Sequence, residues 1–356
     1  MRDKTYQLKR LFYLDVVMGH KAAGRNSILN LAVLLLIVSL IGCRFSKADL
    51  NTAEVDLQRR LINGKYPKIL KDEILQQNGA AVYNELKERY RASLAQFKNA
   101  TENDCTKLVV VIISPEVDKA ASPSNNFGIP FILESCSSLN IDCIDLSAQI
   151  SSNDISDLAM LQEDIAWTAN GSAYIANLFT NIIFKYGNSA NTKVFPDSMK
   201  KYISGDLPHN DNEVLGGAMN LPYRLRTNAQ GFRMEGNISL PKTKQRILFL
   251  GNSVIYQPYL DNDNIMTTLL QKRFADKEII NAAVEHYTLE DELSLYTEKL
   301  KYAEPDLVIL CTDGNDILSY FFTQRNHYSR LKKAYPPTNT EKSFYTSVIT
   351  NGAAGN

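Results

Sequence analysis

The sequence predicts an α/β protein, a parallel sheet with helices on both faces. Three observations carry this prediction. Residues 108–113 (Leu-Val-Val-Val-Ile-Ile), 247–250 and 307–311 are short apolar runs without polar alternation, as strands buried on both faces require. Between such runs lie segments with apolar residues at helical spacing. The two patterns alternate along the chain, which is the signature of a doubly wound sheet.

The elements follow in order. Residues 44–104 read as a helical N-terminal region, in which Val82, Leu86, Tyr90, Leu94 and Phe97 recur at spacings of three and four. The strand at 108–113 is followed by the apolar stretch 131–139, a weaker strand at 141–146, and a helix over about 170–186 through Tyr174, Ile175, Leu178, Phe179 and Ile182. Residues 187–244 are polar and rich in Gly, Asn and Pro, so they read as a linker or surface excursion. Strands at 247–250, 278–284 and 307–311 come next, with a helix through Leu289, Leu293, Tyr296 and Leu300 behind a Thr288/Asp291 capping box. The tail from 332 onward carries no core pattern. The organisation expected is a leader (1–43), a helical region (44–104), one half-domain (105–190), the excursion (191–244), a second half-domain (245–330) and a loosely ordered tail (331–356).

The 356 residues carry 39 Lys plus Arg against 39 Asp plus Glu, and no basic run tracks a phosphate backbone, so nucleic acid is not an expected partner. The five cysteines (Cys43, Cys105, Cys136, Cys143 and Cys311) form no Cys-x-x-Cys and no cluster with His at zinc-ligand spacing. No metal and no cofactor is expected. Residues 28–42 form an apolar run too short for the roughly 20 residues that span a bilayer, and Lys21 and Arg25 precede it. It ends in Leu40-Ile41-Gly42-Cys43, which resembles the bacterial lipobox, whose Cys is lipidated and becomes the mature N-terminus. Met18 would give a leader of the usual length. An uncleaved signal anchor is the alternative. Either reading exports everything after Cys43, with the membrane reached through a lipid anchor in the first. Disulfides are permitted there; Cys136 and Cys143 are the only local pair, while Cys311, ending an apolar strand, reads as a buried thiol.

The sharpest motif is Arg246 through Ser253, a buried strand ending in Gly251-Asn252-Ser253 where the chain turns into a helix. In an open parallel sheet ligands bind at the carboxyl ends of strands, which places the Ser253 hydroxyl at such a site. The same residue types also simply cap helices. Gly-x-Gly-x-x-Gly, Gly-x-x-x-x-Gly-Lys and Gly-x-Ser-x-Gly are all absent, so the dinucleotide, P-loop and nucleophile-elbow signatures lack their glycines. Two further strand ends stand in order behind Ser253: Asn281-Ala282-Ala283-Val284-Glu285-His286 and Thr312-Asp313-Gly314-Asn315-Asp316.

Taken together these resemble the first three sequence blocks of the SGNH/GDSL hydrolase superfamily: Gly-Asp-Ser, an Asn-x-Gly turn, and Gly-x-Asn-Asp. The stretch 225–233 (Leu-Arg-Thr-Asn-Ala-Gln-Gly-Phe-Arg) also resembles the lead-in of many bacterial members. The family's last block, Asp-x-x-His-Trp-Thr-x-x-Gly, is matched not downstream but by Glu163-Asp164-Ile165-Ala166-Trp167-Thr168-Ala169-Asn170-Gly171. The resemblance therefore implies a circularly permuted SGNH-like domain, a three-layer sandwich on a parallel five-stranded sheet of flavodoxin-like order with its halves exchanged. Permutation is tolerated where domain termini lie at the surface.

The resemblance also implies roles. Ser253 matches the nucleophile, Asn315 the side-chain donor to the oxyanion, and Ala283 the Gly whose backbone amide is the other donor. Glu163 stands at the family's Asp position and Ala166 at its His position, Asn252 replaces the Asp of Gly-Asp-Ser, and Asp313 replaces the Gly of Gly-x-Asn-Asp. Of the four histidines, His20 lies in the leader and His327 has no acidic neighbour; the Asp206/His209 spacing falls in the polar excursion. His286, in the second block, is the one that could approach Ser253 as a substitute base, though a surface His is the plainer reading. Two functions follow: an exported esterase or deacetylase acting on an acyl ester or acylated carbohydrate, or a catalytically inactive relative that binds a ligand or serves as a scaffold. Whether the chain is an enzyme is left open at this point.

Overall fold

The computed structural model describes residues 80–113, 128–150, 159–161, 166–188, 190–216, 222–285, 287–314 and 316–317, all within one compact unit. In chain order these form α1 (Ala80–Asn103), β1 (Lys107–Ile112), α2 (Gly128–Ser138), β2 (Asp142–Asp145), β3 (Ala159–Leu161), β4 (Ala166–Trp167) and α3 (Ala169–Tyr186). Then come α4 (Asp197–Lys200), β5 (Asn212–Gly216), β6 (Pro222–Arg226), β7 (Gln245–Leu250), α5 (Ser253–Tyr256), α6 (Met266–Arg273), β8 (Lys277–Asn281), α7 (Leu289–Glu298) and β9 (Leu307–Thr312).

Strands β2-β1-β9-β7-β8 make one five-stranded sheet in that order, every pair parallel. The two halves meet where β1 pairs β9, with Leu108 opposite Val308 and Val111 opposite Cys311. Neither half has enough strands to bury both faces alone, and joined they bury β7 and β9 almost completely. Counted from β7 onward and continuing through β1 and β2, the spatial order reads 2-1-3-4-5. That is the flavodoxin-like order, with its switch point between the first and third strands, here β7 and β9.

Helices α1, α2 and α7 form one layer and α3 and α6 the other. The helical faces match the predicted periodicity: Val82, Leu86, Tyr90, Leu94 and Phe97 are all buried, and Phe97 lies 5.4 Å from the Tyr296 ring of α7. On the opposite face Phe179 of α3 meets Phe249 of β7 edge-on at 5.4 Å. The predicted capping box opens α7, where Thr288 accepts from the Asp291 amide and the Asp291 carboxylate accepts from the Thr288 amide. Edge strand β8 is closed by a side chain, since Gln271 accepts from the Ile279 amide at 2.8 Å and donates to the Lys277 carbonyl at 3.0 Å.

The polar stretch 187–244, expected as a linker or excursion, is an excursion docked on the domain. It contributes the β5/β6 hairpin and the buried Ile203, Leu207, Leu225, Phe232 and Arg233. At its start the Asn191 amide donates to Asp306 at 2.7 Å, and Lys242 reaches the same carboxylate at 2.7 Å. Composition hid this because the segment is held by hydrogen bonds from polar residues rather than by a periodic apolar face. The leader (1–43), residues 44–79 of the expected helical region, residues 318–330 and the tail (331–356) lie outside the described residues. Among the described residues no helix is long and apolar enough to cross a membrane.

Candidate active site at the switch point

Gly251 ends β7 with φ +155°. A Cβ there would stand 2.9 Å from Ile255 Cγ1 and 3.2 Å from the Cys311 carbonyl oxygen, so the close approach of β7 and β9 requires glycine. Asn252 caps α5, its Oδ1 accepting from the Val254 amide at 3.0 Å. Ser253 is the first helical residue and is half-buried. Its hydroxyl takes no hydrogen bond from any described residue. The predicted capping function and the predicted site thus coincide: Asn252 caps, and Ser253 is left at the mouth of the sheet.

The Asn252 amide has a second role. Its Nδ2 donates to Asp316 Oδ1 at 2.7 Å, and Asp316 Oδ2 accepts from the Thr312 hydroxyl at 2.6 Å and the Asp313 amide at 3.1 Å. Thr312 in turn lies 3.0 Å from the Tyr90 hydroxyl of α1. This chain of contacts ties the Ser253 elbow to the loop after β9, on either side of the switch point. An ionised Asp at 252 could only accept, so the Asn amide is what lets this position donate to Asp316. The same loop is seated against the other half of the chain: a Cβ on Gly128, the first residue of α2, would overlap the Gly314 carbonyl.

Glu292, in the first turn of α7, is 5 % exposed. Burial raises its carboxyl well above the usual range, and the charges of Asp316 and Asp291 push it the same way. Asp316 is also raised, by burial and then by Asp313, but three donated hydrogen bonds oppose the shift. Glu292 receives no hydrogen bond from the described residues, so none of them offsets its upward shift. A raised folded-state pKa contributes stability below the ordinary Glu value of about 4.3, and that contribution is lost as pH rises through the folded value. Glu292→Gln should therefore raise the melting temperature at pH 8 by about 2–4 °C and leave it near the parent's at pH 4, which paired thermal melts at the two pH values would read.

The second block lies beside the first, with the Val284 amide donating to the Gly251 carbonyl at 3.2 Å. Ala283 is buried, and its amide donates to Asn281 Oδ1 at 3.1 Å. The donor expected there for an oxyanion is thus engaged within its own loop. The Ser253 amide is not hydrogen-bonded to any described residue. The last block approaches from the other half, as β4 packs against α5. There Trp167 is fully buried, its indole N–H without a hydrogen bond among the described residues, and Thr168 caps α3 by accepting from the Gly171 amide at 3.0 Å. One turn on, the Ser172 hydroxyl donates to Gln257 Oε1 at 3.1 Å.

Arg233, from the lead-in stretch, is wholly buried and holds the loop that follows Ser253. Its Nε donates to Asn262 Oδ1 at 3.1 Å, and its other nitrogens donate to the carbonyls of Tyr256, Gln257 (3.0 Å) and Leu260 (2.5 Å). The guanidinium also lies over the Tyr256 ring, 4.7 Å from its centroid. Gln257 and Tyr259 in this loop have φ of +55° and +69°, a conformation that costs non-glycine residues energy and persists only when over-determined by contacts.

Of the site residues read from sequence, Ser253 and Ala283 are brought to the same sheet edge. Ala166 is placed on β4, but its side chain, like Asn315, Glu163 and His286, lies outside the described residues. His209 meets Ser204 Oγ at 3.3 Å, and Asp206 instead binds Tyr287 and Lys299, so the Asp206/His209 spacing carries no dyad. Asp316 ends the third block read from sequence but carries no assigned role there; Glu292 and Tyr90 are not singled out, since nothing in their local patterns separates them from core and capping positions. Among the described residues no group of His, Cys, Asp or Glu is arranged to hold a metal ion.

No protein-family model matches this chain, and no curated protein matches it. Among solved structures it is similar to the O-acetyltransferase domain of Pseudomonas putida AlgJ, at 14 % identity, covering 70 % of this chain and 88 % of that one with a TM-score of 0.43. It is similar to Pseudomonas aeruginosa AlgX, at 15 % identity over 75 % of this chain and 62 % of that one, TM-score 0.35. It is also similar to Bacillus cereus PatB1, determined with a sulfonyl adduct, at 11 % identity over 70 % and 94 % of the two chains, TM-score 0.36.

Proposed function

We propose that the protein is an exported, permuted SGNH-like acyl-ester-processing protein whose nucleophile is Ser253, with an ester carried on carbohydrate as its substrate class and Cys43 as its lipid anchor. The observation that carries this reading is the position of Ser253: first residue of α5, at the switch point between β7 and β9, half-buried, with its hydroxyl unengaged by the described residues. The hydroxyl oxygen would attack the acyl carbon, the Ser253 amide and the Asn315 side chain would donate to the oxyanion, and the ester C–O bond would break with the alcohol leaving as it takes up a proton; water or an acceptor hydroxyl would then attack the acyl-serine and free Ser253. The Ser proton has no imidazole at residue 166 to receive it. It must go to His286 or to solvent, and loss of positioned base catalysis typically costs 10² to 10⁴ in rate.

A second reading, a ligand-binding relative without turnover, is favoured by one specific observation, the engagement of the Ala283 amide by Asn281. Hydrolysis of p-nitrophenyl acetate by the parent and by Ser253→Ala decides between them. Slow turnover that falls to the uncatalysed rate in the variant supports the esterase reading; equal rates in the two proteins support the second.

A further inference from the structure

Cys136 lies near the end of α2 and is fully buried; Cys143 is half-buried on β2, opposite Val110 of β1. They stand on the two sides of the turn that joins α2 to β2, two elements packed against each other. The turn between them is fixed, because the Ile141 amide donates to the Cys136 carbonyl at 2.9 Å and Asn140 takes the left-handed conformation, φ +53°. The other described cysteines are placed differently. Cys311 is two strands from Cys143 in the sheet, about 9.5 Å at the usual strand spacing and beyond the reach of about 7 Å between Cα atoms that a disulfide allows. Cys105 is exposed in the turn before β1.

We infer that Cys136 and Cys143 form a disulfide in the exported protein, a covalent link that fastens edge strand β2 to α2. β2 is only half-buried along its length and has one paired neighbour, β1. It is the element of the sheet with least to hold it, and a link to α2 restrains both. The chemistry is two exchange steps with a small-molecule disulfide such as glutathione disulfide. The thiolate of Cys143, the sulfur within reach of solvent, attacks one sulfur and releases one glutathione thiolate. Cys136 then attacks Cys143 Sγ and releases the second, and the two cysteine protons pass to the leaving thiolates. Cys136 is fully buried, which disfavours its thiolate, so the second step is the slower.

The test uses the full chain incubated in glutathione buffer rich in the disulfide form, followed by intact-mass measurement, alkylation and peptide mapping. The expected result is a loss of about 2 Da, a peptide pair joined through Cys136 and Cys143, Cys311 still reduced, and a melting temperature about 5 °C higher than in reducing buffer. In Cys143→Ala the mass loss should vanish. Full alkylation of both thiols after oxidation, or a link mapped to any other pair, would overturn the inference, and neither outcome depends on whether Ser253 is reactive.

Discussion

Ala166→His is expected to raise ester hydrolysis by about 10²-fold over the parent, more than any other single change. Residue 166 lies on β4, which packs against the helix that begins at Ser253, so an imidazole introduced there comes from the side on which the resemblance places the family base. For the full gain Glu163 must orient the ring as the family's Asp does. Steady-state rates with p-nitrophenyl acetate between pH 6 and 9 check this: the gain should follow titration of an imidazole and disappear in Ala166→His/Ser253→Ala. An Ala166→His rate equal to the parent's would show that the last block has been assigned to the wrong residues.

Arg233→Met is expected to be the most destabilising substitution in the domain outside the hydrophobic core. Three loop carbonyls, those of Tyr256, Gln257 and Leu260, lose their donor in a buried setting. Each orphaned acceptor costs on the order of 1–3 kcal/mol. Methionine returns part of the lost packing, which leaves a net loss of about 4 kcal/mol and a fall in melting temperature of about 10 °C. Because the same loop continues from α5, the reactivity of Ser253 should fall before the protein unfolds, so acylation rates measured across a temperature ramp should drop earlier than the circular-dichroism signal. Coincident losses would reduce Arg233 to a purely structural residue.

The sheet was legible from the sequence because parallel strands are buried on both faces and leave no polar alternation: β1, β7 and β9 stand at the unbroken apolar runs. Strand order was legible only through the order of the blocks. The pairing of Leu108 with Val308 depends on contacts between distant segments, which no local pattern reports. The docked excursion was not legible, since Arg233, Asp306 and Glu304 act there through hydrogen bonds and ion pairs with partners far along the chain. The place of Ser253 at the carboxyl end of a buried strand could be read because a small polar residue follows the apolar run there. The commitment of the Ala283 amide could not, because it turns on a side-chain rotamer of Asn281. The role of the Asn252 amide could not be read either, because its partner, Asp316, lies 64 positions away.

The central claim, that Ser253 accepts an acyl group, is tested most directly by trapping it. A slow enzyme lacking its base should release the acyl group slowly as well, so the acyl-enzyme should accumulate. Incubation with p-nitrophenyl acetate, acid quenching and peptide mass mapping should show about one added acetyl group (about 42 Da) per chain, located on Ser253 and absent from Ser253→Ala. Acetyl groups found only on lysines, or equal labelling of parent and variant, would contradict the account.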